Sequence, residues 1–280
     1  MARTPVILAS SGGKDSVLAL AALRAVSDWD VRGILVTVTD EDDAVVMHEV
    51  PRALVAQQAS SLGLNLHAVS VPRNPANDVY EARMASALAR LRSEGVRHIA
   101  FGDIFLAEVR DYRERMLARG DFIGVYPLWG RDSRELAHTF RRDGYQAIAV
   151  CVDGHRVPRE FAGRDLDESF FAELPADVDP CGENGEFHSF VYDGPPFRYP
   201  VRFSKKIPPP AERFHHCTLI PATFDRCARC GAPFECGMQA GLAECWCAQL
   251  PPIAPPDAAA SCYCPRCLAE VSGGVIDQRT

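Results

Sequence analysis

Val6-Ile7-Leu8-Ala9-Ser10 runs directly into Ser11-Gly12-Gly13-Lys14-Asp15-Ser16 and then into the apolar helical pattern Val17 to Val26. An apolar run of strand length, a glycine hinge and a helix start place backbone N–H groups where a helix N-terminus and a nest bind anionic oxygens. The spacing is neither the GxxxxGK[ST] of a kinase-like phosphate loop nor the GxGxxG of a dinucleotide fold, so γ-phosphoryl transfer and NAD binding lose ground. The plain alternative is a strand-to-helix turn bent by Gly12 and Gly13 and capped by Asp15 or Ser16. The two hydroxyls, the lysine and the position after the first strand favour phosphate.

Outward from this loop, short apolar runs alternate with longer amphipathic stretches as far as about Gly154, the pattern of repeated βαβ units. Strands are expected at Gly33 to Val38, Leu66 to Val71, His98 to Gly102 and Ala147 to Val152. Helices are expected at Val17 to Val26, Glu49 to Leu62, Val79 to Ser93 and Arg134 to Arg142. Near-continuous apolar runs imply strands buried on both faces, so the expected fold class is α/β, a Rossmann-like doubly wound parallel sheet. Residues 1–154 would form the nucleotide-binding domain that carries the phosphate loop. Residues 155–222, where Phe170 to Pro200 is acidic and rich in glycine and proline, would form a smaller substrate lobe, and residues 223–272 a cysteine-rich zinc module.

At 280 residues and 47% hydrophobic content the chain can bury a sizeable core. A formal net charge of -7 creates no overall field for a nucleic-acid backbone or an anionic membrane. The apolar run after Met1 to Pro5 is too short for a signal-peptide core or a membrane span, and a cytoplasmic location is expected.

Further motifs follow in order: Gly102-Asp103-Ile104, Tyr112-Arg113-Glu114, Pro127-Leu128-Trp129-Gly130 and Asp179-Pro180-Cys181-Gly182-Glu183-Asn184-Gly185-Glu186-Phe187-His188. Asp103 lies at the end of an expected strand, the edge where open α/β sheets gather ligands, and is a candidate metal or ribose contact or else the cap of the next turn. Glu183 and Glu186 bracket an Asn184-Gly185 turn that could carry two carboxylates toward the nucleotide, to orient ammonium, bind a cationic group or act as a base. Cys181, Glu183, Asn184, Gly185, Glu186 and His188 are therefore the candidate substrate residues. Trp129 could stack on a base or anchor the core.

The SGGKDS loop resembles the pyrophosphate loop of the adenine nucleotide alpha hydrolase superfamily. With the later motifs it resembles the diphthine-ammonia ligase family over about residues 5–222. The resemblance implies that Ser11, Gly12, Gly13 and Ser16 hold pyrophosphate, that Lys14 offsets its charge and that Asp15 places Mg2+. Gly102 and Asp103 would complete the ATP site, and Lys14, Asp15, Glu183 and Glu186 would be catalytic. It further implies that ATP adenylates a carboxylate and that ammonia displaces AMP to leave an amide. Phe187, His188 and Ser189 depart from the family's tyrosine and threonine, so the acceptor, a small molecule or a modified protein side chain, is left open.

Cys227, Cys230, Cys236, Cys245, Cys247, Cys262, Cys264 and Cys267 supply eight thiols in a chain without an export signal. That number suits two tetrahedral zinc sites, expected as Cys227, Cys230, Cys264 and Cys267 in one and Cys236, Cys245, Cys247 and Cys262 in the other, with an iron–sulfur cluster as the competing cargo. The segment resembles modules named for a Cys-Trp-Cys signature and would serve structure or docking of a protein partner. His215, His216 and Cys217 are read as residues of the lobe.

The leading expectation is an ATP-dependent amide ligase. A tRNA-modifying enzyme and an ATP-binding sensor without turnover are the alternatives; the acidic balance and the lack of a basic aromatic stripe count against the former.

Overall fold

The computed structural model describes residues 3–209, 211–222, 225–234, 236, 246–251 and 262–273. Met1–Pro221 and Ala222–Thr280 are two compact units. In the first, β1 (Thr4–Ala9), β2 (Trp29–Thr39), β3 (Asn65–Val71), β4 (His98–Ala100) and β5 (Ile123–Val125) form one sheet in the order β3-β2-β1-β4-β5. All of its pairings are parallel. Four helices lie between or after these strands: α1 (Lys14–Ala25), α2 (Arg52–Leu62), α3 (Asn77–Ser93) and α4 (Ala107–Ala118), with α5 (Ser133–Arg142) following β5.

Side chains alternate across the central strand. Val6 and Leu8 pack with Val17, Leu20 and Leu23 of α1 and with Leu136 and Phe140 of α5, whereas Ile7 packs with Met84, Leu88 and Leu91 of α3 and Leu117 of α4. Helices on both faces explain why these strands read as continuous apolar runs. The chain steps from β1 to β2 and β3 on one side and returns to β4 on the other, so the order reverses between β1 and β4. That reversal opens a crevice at the carboxyl ends of the two strands.

Ala147 to Val152, expected in this sheet, belongs elsewhere. It is β6 (Gln146–Asp153), the centre of a second, antiparallel sheet between β7 (Phe187–Asp193) and β9 (Phe214–His216). Its apolar run signals burial on both faces, which β6 has, but not the direction of its neighbours. The division at residue 154 would part β6 from β7 and β9, and both sheets lie within the compact unit Met1–Pro221. The fifth position of the parallel sheet goes to β5, three residues long. Helix α4 also lay outside the expected elements, since its charged sequence buries only Leu117, although Val109, Tyr112, Arg113, Met116 and Leu117 carry the helical spacing.

The unit closes with α6 (Glu168–Glu173) and a hairpin-like pair, β8 (Phe203–Lys206) and β10 (Thr218–Pro221). In the second unit, β11 (Asp225–Arg226) pairs with β12 (Pro233–Phe234), and α7 (Pro265–Ser272) follows the last cysteine knuckle. Among the described residues no helix is long and apolar enough to cross a membrane.

Candidate functional site

Gly12 turns the chain out of β1 with φ 84°, a region open to glycine, and its N–H donates to Ser10 Oγ at 3.0 Å. Gly13 then caps α1 without any side-chain acceptor, so the first turn of the helix presents its N–H groups toward the crevice. Space is tight: a Cβ on Gly12 would meet Phe190 at 3.0 Å, and one on Gly13 would meet the Ser189 carbonyl at 3.2 Å.

The loop is held from behind by residues that sequence reasoning did not find. Gln58 of α2, fully buried, donates from Nε2 to the carbonyls of Gly12 (3.0 Å) and Val191 (2.6 Å), while Val191 N–H donates to the Gly12 carbonyl at 2.9 Å. Strand β7 thus docks on the loop, and Ser189 Oγ accepts the Lys14 N–H at 3.2 Å.

Lys14 is 2% exposed, and its ammonium does not stand open to the cleft. It bonds both Asp15 oxygens (3.0 and 2.8 Å) and the Cys181 carbonyl and lies 5.4 Å from the centre of the Phe187 ring. The lysine therefore ties the phosphate loop to the segment from Cys181 to Phe187.

A cleft of about 580 Å³ opens over this loop, lined among others by Ser11, Gly13, Lys14, Asp15, Ser16, Gly102, Asp103, Cys181, Glu183, Gly185 and His188. Asp15, Asp103 and Glu183 bring three carboxyls together there. Each is raised above the ordinary carboxylate range, first by burial, and Asp103 and Glu183 further by the nearby charge of Asp15. Arg113 Nε stands 3.1 Å from Asp103 Oδ2, and Glu183 accepts the Ile104 N–H at 2.8 Å. Among the described residues the three do not form a ready-made metal group, so Mg2+ here would take one or two of these carboxyls together with phosphate oxygens.

Glu186, expected beside Glu183, is turned inward and 1% exposed. Its carboxylate accepts the N–H groups of Asp179 (3.2 Å) and Asn184 (3.0 Å) and the Asn184 side-chain amide (3.0 Å). Left-handed Gly182 and Gly185 fold the loop around it. Asn184 borders a separate surface hollow with Asp132, Ser133 and Asp179. Trp129 holds Arg110 against its ring, 4.7 Å from the centroid. Glu186→Gln is expected to lower stability by about 1–3 kcal/mol, since one acceptor for the loop is lost. Thermal unfolding would show it, and an unchanged midpoint would mean that the carboxylate does not organise the loop.

His48, from the β2–α2 connection, was not anticipated in the site because that connection has no hydrophobic period. It lines the cleft with its ring centroid 4.5 Å from that of His188.

In the second unit one ligand atom from each of Cys227, Cys230, Cys264 and Cys267 lies within 4.8 Å of all the others, the donor set of a tetrahedral thiolate site for zinc or an iron–sulfur centre. Burial opposes the thiolate at Cys227, but backbone N–H groups of Cys264, Cys230 and Arg229 outweigh it and hold its pKa at about 6. The other expected set includes Cys245, which lies outside the described residues. Among the described residues of this unit, the apolar centre beside the sulfurs consists of Phe234, Leu268 and the partly buried Tyr263. Chelation should therefore unfold it, structural zinc being worth roughly 10 kcal/mol or more in small modules. Loss of amide protection over residues 225–234 and 262–273 after metal removal would register this, and full protection in metal-free protein would count against a structural metal.

A glycine-kinked loop opening a helix at the β1/β4 edge of a sheet ordered β3-β2-β1-β4-β5 defines a pyrophosphate-loop α/β protein. Residues 4–120 match the diphthamide synthase N-terminal domain, residues 132–218 its C-terminal domain and residues 227–269 the cysteine-rich CWC domain. The chain belongs to the diphthamide synthase family and carries a CWC module after it. No curated protein matches it. Among solved structures, the U34-tRNA thiolase NcsA from Methanococcus maripaludis, with its 4Fe-4S cluster, is similar at 17% identity and a TM-score of 0.32, over 50% of this chain and 58% of that one. The chain thus spans less than two thirds of that relative's length.

Proposed function

We propose that this protein is an ATP-dependent amide ligase that adenylates a carboxylate, releases pyrophosphate and lets ammonia displace AMP. An ATP-utilising enzyme is the common ground of the loop and the two family domains. The finer reading rests on one observation: the phosphate loop and the carboxyls of Asp15, Asp103 and Glu183 share a single cleft at the sheet edge.

The N–H groups of Ser11, Gly13, Asp15 and Ser16 would take the β and γ phosphates, with the glycines allowing close approach. Mg2+ held by Asp15 and Asp103 would offset phosphate charge while the acceptor oxygen approaches the α phosphorus. Glu183, which accepts the Ile104 N–H, would hold ammonium through a charge-assisted hydrogen bond and take from it the proton that frees ammonia to attack the acyl adenylate. Lys14, through its bond to the Cys181 carbonyl, sets the acceptor segment against the nucleotide. The acceptor carboxylate, a small molecule or a modified protein side chain, would enter beside Cys181, Gly185 and His188. The CWC module would hold zinc and dock a protein partner, in a cytoplasmic setting that keeps its thiols reduced.

The test is to incubate metal-replete protein with ATP, Mg2+, ammonium and a cell extract and to separate the nucleotides. Ammonium-dependent AMP and pyrophosphate, lowered at least about a thousandfold in Asp15→Ala, are expected. ADP, or ATP bound and left intact, would refute the ligase reading.

A further inference from the structure

His48 sits at the tip of the β2–α2 connection between Met47 (φ 66°) and Glu49 (φ 53°), two non-glycine residues in left-handed backbone. Such conformations persist where the surroundings impose them, and here they bring an imidazole to the phosphate loop. Its Cε1 is 3.5 Å from the position a Cβ on Gly13 would take. Its Nδ1 is buried without a hydrogen-bond partner, with the Ser189 backbone beside the ring. His188, 4.5 Å away, lines the same cleft from β7.

The surroundings keep both rings uncharged in the free protein. Removal from water, then the neighbouring His188 and Lys14, hold His48 down at about 3 against the Ser189 carbonyl. Burial, then Lys14 and His216, hold His188 at about 4. Other groups face the pair as well. Asp15 partners Lys14 in the loop, and Glu49 stands 3.3 Å from His216 Nδ1. Cys151, opposite His188 on β6, has its thiol pushed up to about 12 by burial and stays neutral. Two neutral imidazoles thus border a loop built to receive a polyanion. One full negative charge about 4 Å from an imidazole in such a site favours the protonated form on the order of a thousandfold, enough to carry His188 from about 4 toward neutrality.

We propose that the His48–His188 pair takes up a proton as the triphosphate enters the loop and passes it to the departing pyrophosphate. This rests on the reading that ATP is cut at the α phosphorus. The acceptor carboxylate oxygen bonds to that phosphorus, the bond to the bridging oxygen breaks, and the electron pair leaves with pyrophosphate. The imidazolium proton moves to that oxygen, leaving acyl-AMP, monoprotonated pyrophosphate and a neutral imidazole.

Calorimetry with α,β-methylene-ATP and Mg2+ at pH 6.5, in two buffers of different ionisation enthalpy, counts the protons taken up on binding. Wild-type protein should take up at least half a proton more than His48→Gln or His188→Gln. Its affinity relative to either variant should rise severalfold as pH falls from 8 to 6. Because a variant can misfold, nitrogen NMR of the wild-type histidines gives an independent readout, in which one ring of the pair becomes imidazolium in the nucleotide complex. Equal uptake in wild type and both variants, or two neutral rings in the complex, would overturn the proposal while leaving the ligase reading intact. Failure of the nucleotide to bind would overturn both.

Discussion

Gly102→Ala is expected to weaken nucleotide binding by about 10- to 100-fold, although residue 102 offers no side chain to a ligand. A Cβ there would stand 2.8 Å from the Asp15 carbonyl carbon, 2.9 Å from its oxygen and 3.0 Å from the Ser16 nitrogen. All three are backbone atoms of the first turn of α1, so no flexible side chain can give way. The tip of β4 and the phosphate loop would have to separate, and overpacking of this kind costs about 1–3 kcal/mol. Displacement at the loop appears directly in affinity, where about 1.4 kcal/mol is tenfold. Gly120→Ala is the control, since its Cβ would find ordinary contacts beginning at 3.4 Å. Titration calorimetry with an ATP analogue would decide it: wild-type affinity in Gly102→Ala would show that β4 does not set the geometry of the loop.

Lys14→Met should lower stability by about 2–4 kcal/mol, a larger effect than a residue serving phosphate alone would produce. The substitution leaves the Asp15 carboxylate without its counter-charge and the Cys181 carbonyl without its donor. A chain of this size should lose roughly 4–16 °C of melting temperature. Burial works against the Lys14 ammonium, but Asp15, Cys181 and Asp179 outweigh it and raise its pKa above the ordinary lysine value. The contribution is therefore complete at neutral pH and is lost only as pH climbs through that raised value. A melting temperature within 1–2 °C of wild type, with ATP affinity lost, would return Lys14 to the role of a simple phosphate ligand.

Much of the site was legible because its chemistry is local in the chain. Ser11 to Ser16 occupy consecutive positions after an apolar run, so the glycine turn and the helix start that it opens could be read from neighbouring residues alone. Asp103 follows the end of a strand, and the paired knuckles Cys227-Cys230 and Cys264-Cys267 carry ligand spacing within themselves. Glu183 and Glu186 lie three residues apart and read alike. Their fates diverge because Gly182 and Gly185 wrap the loop around Glu186, whose oxygens satisfy the backbone N–H groups of Asp179 and Asn184 while Glu183 faces the cleft. Spacing cannot distinguish a carboxylate that organises a loop from one that meets a ligand.

The sequence by itself determined the α/β class, the phosphate loop at its sheet edge and the cysteine-rich module, since each depends on periodicity or on ligand spacing over a few residues. The tertiary structure alone decided that β6 joins an antiparallel sheet, that Gln58 and β7 brace the loop and that His48 meets His188. Each of these joins segments far apart in the chain, where the partner is chosen by packing and by the hydrogen bonds that buried backbone must find.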